Sequence, residues 1–266
     1  MRVIALGSGS SGNATLIKAG GECILIDAGI PTRMLERTLT EVGVRPREIA
    51  AIFLTHEHSD HVAAAGVLAR RYGLTIVAND KTLQSAAIGK VKAEIMPTGG
   101  SVSVGSLRID SFQLPHDGRD PVGYCVEHEG RRVCLATDLG HVPLALREHI
   151  RAADLVILEA NHDQTRLLNG PYPPSLKARV MSQHGHLSNR QAADCIVASV
   201  SNRPQWLWLA HLSDVNNSPG VALRTVSQTL SLAGIQSVRT AVALRDRRSL
   251  VWDSEECFVQ PALKML

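Results

Sequence analysis

Three histidines and an aspartate stand within six positions of the segment THEHSDH, at His56, His58, Asp60 and His61. Imidazole and carboxylate groups are common ligands of divalent transition metals in proteins. One short loop approaches an ion from one side only, so a metal site needs further ligands from distant parts of the chain. The competing interpretation is a polar loop in which Asp60 merely caps the helix that begins near His61.

Further candidate ligands follow apolar strands elsewhere in the sequence. His116 comes just after a strand ending at Leu114, Asp138 ends the run RVCLATD, and His211 ends QWLWLAH. The ends of buried strands meet at one edge of a sheet, where α/β proteins usually build their sites. Together with the THEHSDH residues, these side chains suit two ions that share a carboxylate. Imidazole and carboxylate donors without thiolate fit Zn²⁺, Mn²⁺ or Fe²⁺.

Each of these residues also has a simpler interpretation when it is considered alone. His116 and His211 are each interpretable as hydrogen-bonded histidines at strand ends, and Asp138 is interpretable as the cap of a helix that starts near His141. If there were no metal site, all of these separate interpretations would have to hold at once. The histidines of THEHSDH would also have to pack in no core and pair with no other group. The sequence therefore favours a metal site, which can hold a hydroxide between two ions and use it for hydrolysis.

The elements that must position these residues alternate between short apolar strands and amphipathic helices. Strands are predicted at 2–6, 14–20, 23–29, 49–55, 75–79, 101–114, 122–138, 154–161, 205–211 and 238–244, with a hairpin turn at HEGR. Helices are predicted at 31–43, 61–73, about 141–152, about 188–201 and about 218–233. Two sheets covered by helices on their outer faces would bury this pattern. The stretch at about 163–187 lacks periodicity and is expected to be irregular, and such segments are often functional.

Composition and charge indicate an ordinary globular protein. The 266 residues are 44% hydrophobic and 20% charged, with a formal net charge of +3. The five cysteines form no C-x-x-C pair, which favours buried thiols in a reducing compartment over disulfides. The apolar run at the N-terminus is too short for a signal peptide, and no run is long enough to span a membrane. A cytoplasmic location is therefore expected.

The H-x-H-x-D-H form of THEHSDH, followed in order by His116, Asp138 and His211, resembles the metallo-β-lactamase superfamily. The resemblance extends from LGSGSSGN to about residue 244. It implies an αββα sandwich of two mixed sheets, formed as a single domain over 1–266. It also implies that one ion takes His56, His58 and His116, that the other takes Asp60, His61 and His211, and that Asp138 bridges them.

A closer resemblance concerns the reaction. Glu159 in LEANHD and His186 in HGHLSN are similar to a pair in tRNase Z-type phosphodiesterases, where a glutamate orients a histidine that protonates the leaving oxygen. A histidine of near-neutral pKa suits this step. The alternative for His186 is a helix-entry histidine bonded to the backbone. His162 and His184 lie off this pattern and are expected at the surface or behind the ligands.

The motifs LGSGSSGN, THEHSDHVAAAG, TDLG, EANHD, GHLSN and HLSDVNN together resemble the YycJ/WalJ branch of the superfamily, which is related to PhnP phosphodiesterases and tRNase Z. This resemblance implies a phosphodiesterase with Asp60, Glu159 and His186 in catalysis, most simply a 5′-to-3′ DNA exonuclease. The rivals are an RNA-directed nuclease, a hydrolase of small thioesters, lactams or cyclic phosphodiesters, and a metal-stabilised scaffold without catalysis.

A nucleic-acid substrate would be bound by scattered cations around the cleft. The nearest to the site loops in sequence are Arg119, Arg166, Lys177, Arg179 and Arg190. The small net charge predicts a modest, salt-sensitive affinity. The segment GSGSSGN either offers backbone N–H groups to a phosphate or forms a tight turn at the rim of the site. No obligate protein partner is evident from the sequence.

Overall fold

The computed structural model describes residues 1–201 and 205–255 of the chain. Its strands are β1 (Arg2–Gly7), β2 (Ala14–Ala19), β3 (Glu22–Ile26), β4 (Ala51–Phe53), β5 (Thr75–Ala78), β6 (Ala93–Ile95), β7 (Ser101–Val104), β8 (Leu107–Gln113), β9 (Val122–His128), β10 (Arg131–Ala136), β11 (Leu155–Glu159), β12 (Gln205–Ala210), β13 (Val238–Val242) and β14 (Leu250–Asp253). Its α-helices are α1 (Thr32–Glu41), α2 (Ser59–Val62), α3 (Ala65–Tyr72), α4 (Asp80–Ser85), α5 (Leu144–Ala152), α6 (Gln164–Asn169), α7 (Pro174–Val180), α8 (Asn189–Ser199) and α9 (Pro219–Leu232).

Two seven-stranded mixed sheets pack face to face between layers of helices. The first has the order β14-β1-β2-β3-β4-β5-β6 and the second β13-β12-β11-β10-β9-β8-β7. Alternate residues of both sheets fill a core between them, including Phe53, Tyr124 and Trp208. The opposite faces bury helix residues such as Leu35 on the first sheet and Ile196 on the second. The αββα sandwich predicted from the sequence is confirmed.

The strand directions bring the candidate ligands to one edge of each sheet. In the first sheet β3, β4 and β5 are parallel, and β1 runs the same way because two antiparallel pairings separate it from β3. In the second sheet β10, β11 and β12 are parallel, and β8 shares their direction by the same reasoning. A bridge between Gly9 and Leu212 joins the two edges. The loops that follow these strands therefore face one another.

Most predicted elements are confirmed, with some differences in detail. The helix expected at 61–73 is two helices, α2 and α3. The stretch at 163–187 is not wholly irregular, since it contains α6 and α7. In the predicted hairpin, Glu129 and Gly130 both have positive φ, as a two-residue type I′ turn requires. The sequence pattern did not predict α4, β6 or β14.

Cys23, Cys125, Cys134 and Cys195 are free and buried, whereas Cys257 lies outside the described residues. Across residues 1–201 and 205–255, no helix is both long enough and apolar enough to cross a membrane.

Candidate metal centre

Donor atoms from the loops after four strands converge at the shared edge of the two sheets. Three groups each hold ligand atoms within 4.8 Å of one another: His56, His58 and His116; His56, His61 and Asp138; and Asp60, His61 and His211. The seven side chains singled out from the sequence therefore lie together. They come from the ends of β4, β8, β10 and β12 and from α2.

The first group consists of imidazoles alone. His56 Nε2 lies 3.0 Å from His58 Nδ1. The ring of His116 lies 5.3 Å from that of His56 and 5.2 Å from that of His58, measured between centroids. Three imidazole nitrogens that face a common point form one side of a tetrahedral ligand set.

The group of Asp60, His61 and His211 mixes imidazoles with a carboxylate. Asp60 Oδ2 lies 3.5 Å from His61 Nε2 and 3.4 Å from His211 Nε2. Asp138 lies between the two groups, with Oδ2 3.2 Å from His61 Nε2 and Oδ1 3.8 Å from His116 Nε2. Its position matches that of a shared carboxylate.

The Nδ1 atoms of four of these histidines are held by partners behind the site. The contacts are His56 with Thr55 Oγ1 at 3.0 Å, His61 with Asp27 Oδ2 at 2.7 Å, His116 with Gly185 O at 3.1 Å, and His211 with Glu159 Oε1 at 2.9 Å. Metal-binding histidines are oriented by hydrogen bonds of this kind, which fix the tautomer and the ring. In each ring Nε2 remains directed at the site.

Buried charges dominate the electrostatics of the cluster. Burial, with a smaller contribution from His61, holds the pKa of His56 well below its usual value. Burial also acts to lower the pKa of His211, but Asp138 and hydrogen bonds to Asp60 and Glu159 outweigh it and raise that pKa to about 10. Burial alone would raise the pKa of Glu159, yet the charge of His186 and hydrogen bonds from His186 and His211 lower it to about 2. Divalent cations can take the place of the protons that otherwise balance such carboxylates.

One buried atom tests whether the cluster fits a pair of metal ions. Asp138 is 2% exposed, and among the described residues its Oδ2 makes no hydrogen bond of proper geometry, although His61 Nε2 lies 3.2 Å away. Buried polar atoms are seldom left without a partner unless they bind an ion or a water. The oxygen points into a set of imidazole nitrogens whose opposite faces are already hydrogen-bonded. The donor set and this oxygen fit two divalent ions.

Three residues at the site have strained backbones. Asp27, Asp138 and His211 have φ values of 60°, 63° and 53°, in the left-handed region. Each follows directly, or within two residues, the end of a central strand. Strain of this kind costs about 1–3 kcal/mol per residue and is concentrated at functional sites. The turn that it produces aims each carboxylate or imidazole across the edge of the sheet.

Glu159 and His186 lie beside the ligands. His186 Nδ1 is 2.8 Å from Glu159 Oε1 and 3.6 Å from Asp138 Oδ1. Glu159 is fully buried and also accepts hydrogen bonds from the backbone N–H groups of Leu139 and Leu187. His186, Glu159, His211 and Asp138 are close enough to hold an ion as well. Because Glu159 already hydrogen-bonds the Nδ1 atoms of both histidines, we assign these contacts to a hydrogen-bond network.

The alternative helix-cap interpretations are wrong. Helix α2 begins at Ser59 with His58 at the cap position, and Asp60 lies inside the helix. Helix α5 begins only at Leu144, with Pro143 at the cap position, so Asp138 does not cap it. Of the two histidines off the pattern, His184 is exposed as expected. His162 is 2% exposed and belongs to the interior behind Glu159.

Two supporting residues, Asn13 and Asp27, were missed by the sequence analysis. Asn13 Nδ2 lies 3.1 Å from His61 Nε2 and 3.3 Å from the Asp60 carbonyl oxygen, so the GSGSSGN segment forms a turn that braces the site. Asp27 accepts hydrogen bonds from the backbone and hydroxyl of Thr55. The signal for Asp27 was an aspartate ending the apolar strand CILID. The following Gly29 is required because a Cβ atom there would lie 1.6 Å from the Asp60 carbonyl oxygen.

Replacement of Asp27 by asparagine should weaken metal binding about 10- to 100-fold, the usual cost of removing an outer hydrogen-bond partner. Asparagine tolerates the left-handed φ of 60° at this position. The fold should therefore survive while the His61 ring loses its carboxylate. Titration with Zn²⁺ against a competing chelator measures the change. Asp253→Asn, at the end of the edge strand β14, is the control, and equal affinity of D27N and the unaltered chain would contradict the expectation.

An αββα sandwich with a histidine–carboxylate cluster at its shared edge defines a protein of the metallo-hydrolase class. The model of the beta-lactamase superfamily domain matches residues 22–211. The chain is 36% identical over 237 residues to exodeoxyribonuclease WalJ of Streptococcus pneumoniae serotype 2, covering 86% of this chain and 88% of that one. It is 34% identical over 234 residues to exodeoxyribonuclease YycJ of Bacillus anthracis, covering 86% and 89%.

The metallo-beta-lactamase fold protein YhfI from Bacillus subtilis superposes with a TM-score of 0.72 over 94% of this chain and 98% of that one, at 17% identity. That likeness concerns the fold alone. The chain belongs to the metallo-β-lactamase superfamily and, within it, to the WalJ/YycJ branch.

Proposed function

We propose that the chain, as one hydrolase domain over 1–266, is a metal-dependent phosphodiesterase that degrades DNA from the 5′ end. The proposed ligands of one ion are His56, His58 and His116, those of the other are Asp60, His61 and His211, and Asp138 is shared. Zn²⁺ and Mn²⁺ suit this donor set best, and Fe²⁺ is compatible with it. When bound, the ions supply activated water at neutral pH and positive charge for the phosphate oxygens.

The observation that carries phosphodiester chemistry is the His186–Glu159 pair. The 2.8 Å contact fixes the Nδ1 side of the ring. Among the described residues, no hydrogen bond or ion pair uses Nε2, and the side chain is 21% exposed. That nitrogen can therefore give a proton to the oxygen that leaves phosphorus, a step that a sugar alkoxide requires. Asp60 contributes to catalysis by holding both the ion and the His61 and His211 rings.

DNA is favoured as the substrate because two relatives that match most of this chain are named exodeoxyribonucleases. The surface adds little sequence-independent attraction, because the formal net charge is only +3. Affinity for DNA should therefore be modest and sensitive to salt.

An activity screen tests the proposal. Metal-stripped protein is reconstituted with Zn²⁺ or Mn²⁺ and offered 5′- or 3′-end-labelled duplex DNA, single-stranded DNA, RNA of matched sequence and bis-p-nitrophenyl phosphate. We expect release of labelled mononucleotide from 5′-labelled DNA in at least one metal. The metal-stripped protein is the control.

The rival functions give different outcomes in the same screen. Faster cleavage of RNA than of matched DNA would make the chain an RNA nuclease. Turnover of small esters or lactams without any nucleic-acid cleavage would make it a small-molecule hydrolase. Binding without turnover would leave only a scaffold held together by metal.

A further inference from the structure

A small cavity of about 190 Å³ opens beside His186. Its lining combines an apolar wall, which includes Tyr172 and Leu176, with the polar side chains of Asn161 and Ser213. Arg179 of α7 is the cationic side chain in this lining. A cavity with an aromatic wall, a polar floor and one guanidinium suits a nucleotide better than a purely apolar ligand.

The place of this cavity in the reaction follows from His186. The group that His186 protonates is the leaving oxygen, so the nucleoside attached to that oxygen lies on the same side as His186. A second, wider cavity of about 540 Å³ reaches the site from the side of His116 and is lined by Lys81 and Arg119. The remaining strand would therefore lie in the wider cavity, and the departing nucleotide in the small one.

The size of the small cavity limits what can depart. Pockets for drug-sized ligands measure roughly 300–1,000 Å³. A cavity of 190 Å³ is smaller than this range and accommodates only part of a nucleotide. A leaving side of this size suits one terminal nucleotide better than a longer strand.

Arg179 identifies which end the cavity suits. Its Nε and Nη2 atoms lie 2.7 Å and 2.5 Å from Asp117 Oδ2. Among the described residues, no hydrogen bond or ion pair uses Nη1. Asp117 also lines the cavity and neutralises part of the charge of Arg179, but it holds only Nε and Nη2 and leaves the Nη1 edge available. A 5′-terminal phosphate has charged oxygens that can accept hydrogen bonds from this edge of the guanidinium, whereas a 3′-terminal hydroxyl has none.

We propose that this cavity, the leaving-nucleotide pocket, binds the 5′-terminal nucleotide of DNA, with its base against Tyr172 and its 5′-phosphate on Arg179. The proposal rests on the phosphodiesterase function above. A water oxygen bonds to phosphorus and its proton goes to solvent. The P–O3′ bond breaks, its electron pair remains on O3′, and His186 Nε2 protonates that oxygen. The products are a 5′-mononucleotide and a strand with a new 5′-phosphate, which is again a substrate end.

Binding to metal-free protein tests the pocket separately from catalysis. Titration calorimetry compares thymidine 5′-monophosphate with thymidine, and we expect the phosphate to tighten binding about 10- to 100-fold, as charge-assisted hydrogen bonds do. Arg179→Ala should remove that difference. Tyr172→Ala should weaken both ligands by about 5- to 100-fold, the range for a lost base–aromatic stack. Arg37→Ala, an exposed arginine of α1 paired with Glu41, is the matched control.

Degradation of DNA provides the second measurement. On duplexes with a 5′-phosphate or a 5′-hydroxyl, the unaltered protein should prefer the phosphate about 10-fold or more in kcat/KM. R179A should reduce this ratio to about 1, whereas Arg179→Lys should retain part of it.

The results separate failure of the pocket from failure of the function. Equal binding of thymidine and its monophosphate, or an R179A variant with an unchanged ratio, overturns the pocket even if DNA is degraded. Release of mononucleotides from the 3′ end also overturns it. Phosphate-dependent binding without any DNA cleavage would support the pocket and would contradict the proposed nuclease function.

Discussion

Replacement of His186 by alanine is expected to lower kcat on DNA about 10²- to 10⁴-fold, the usual contribution of a positioned general acid. The physical reason is the leaving group. A sugar alkoxide departs slowly unless it is protonated, and the His186 ring, fixed on Glu159 at 2.8 Å, is the group placed to protonate it.

A comparison of leaving groups makes this expectation specific. On bis-p-nitrophenyl phosphate the same variant should lose less than about 10-fold, because p-nitrophenolate is stable without a proton and general-acid help then matters little. Both substrates are measured with the same preparation of enzyme. Its metal content should equal that of the unaltered protein, since His186 is not among the proposed ligands.

His128→Ala is the control, because His128 ends β9 at the hairpin and lines neither cavity. Glu159 variants are less informative, since Glu159 also holds the ligand His211 at 2.9 Å. Equal losses on the two phosphodiesters would show that His186 acts elsewhere than on the leaving oxygen. Undiminished DNA cleavage would remove it from the mechanism altogether.

The sequence contained enough information to predict the convergence of the ligands. His116, Asp138 and His211 each follow an apolar run, and the direction of a strand within a sheet decides at which edge its end lies. Parallel strands of one sheet end at the same edge, so the ligands after β10 and β12 share an edge. The bridge between Gly9 and Leu212 places that edge against the edge where β4 ends. Residue type and strand position were sufficient for this part of the site.

The supporting contacts were harder to predict, for a geometric reason. In the sequence, Asp27 looks like the start of a turn. Its contact with His61 depends on a φ of 60°, which directs the carboxylate at a residue 34 positions away. The leaving-nucleotide pocket depends on α7, in a stretch expected to be irregular because Gly170, Pro171 and Pro173 interrupt any periodicity. A helix of seven residues that directly follows prolines carries too little pattern to be recognised in a single sequence.

Replacement of Asp138 by asparagine should cause the largest loss. We expect the protein to bind one ion or fewer in place of two, and kcat on DNA to fall about 10³-fold or more. Metal ions stabilise transition-state charge by several kcal/mol, and each factor of ten in rate corresponds to about 1.36 kcal/mol. Asparagine has the same shape and tolerates the left-handed φ of 63°, so the fold should remain.

Metal-dependent stability gives a readout of Asp138 that does not depend on activity. An ion at 100 times its Kd stabilises a folded protein by about 2.7 kcal/mol per site. The rise in Tm on adding Zn²⁺ or Mn²⁺ should therefore be smaller in D138N than in the unaltered protein. Asp194→Asn, an exposed residue of α8 paired with Arg190, should keep the full rise and both ions. If D138N retained two ions and the same rise in Tm, the buried oxygen of Asp138 would need another role, and the shared-carboxylate arrangement would be wrong.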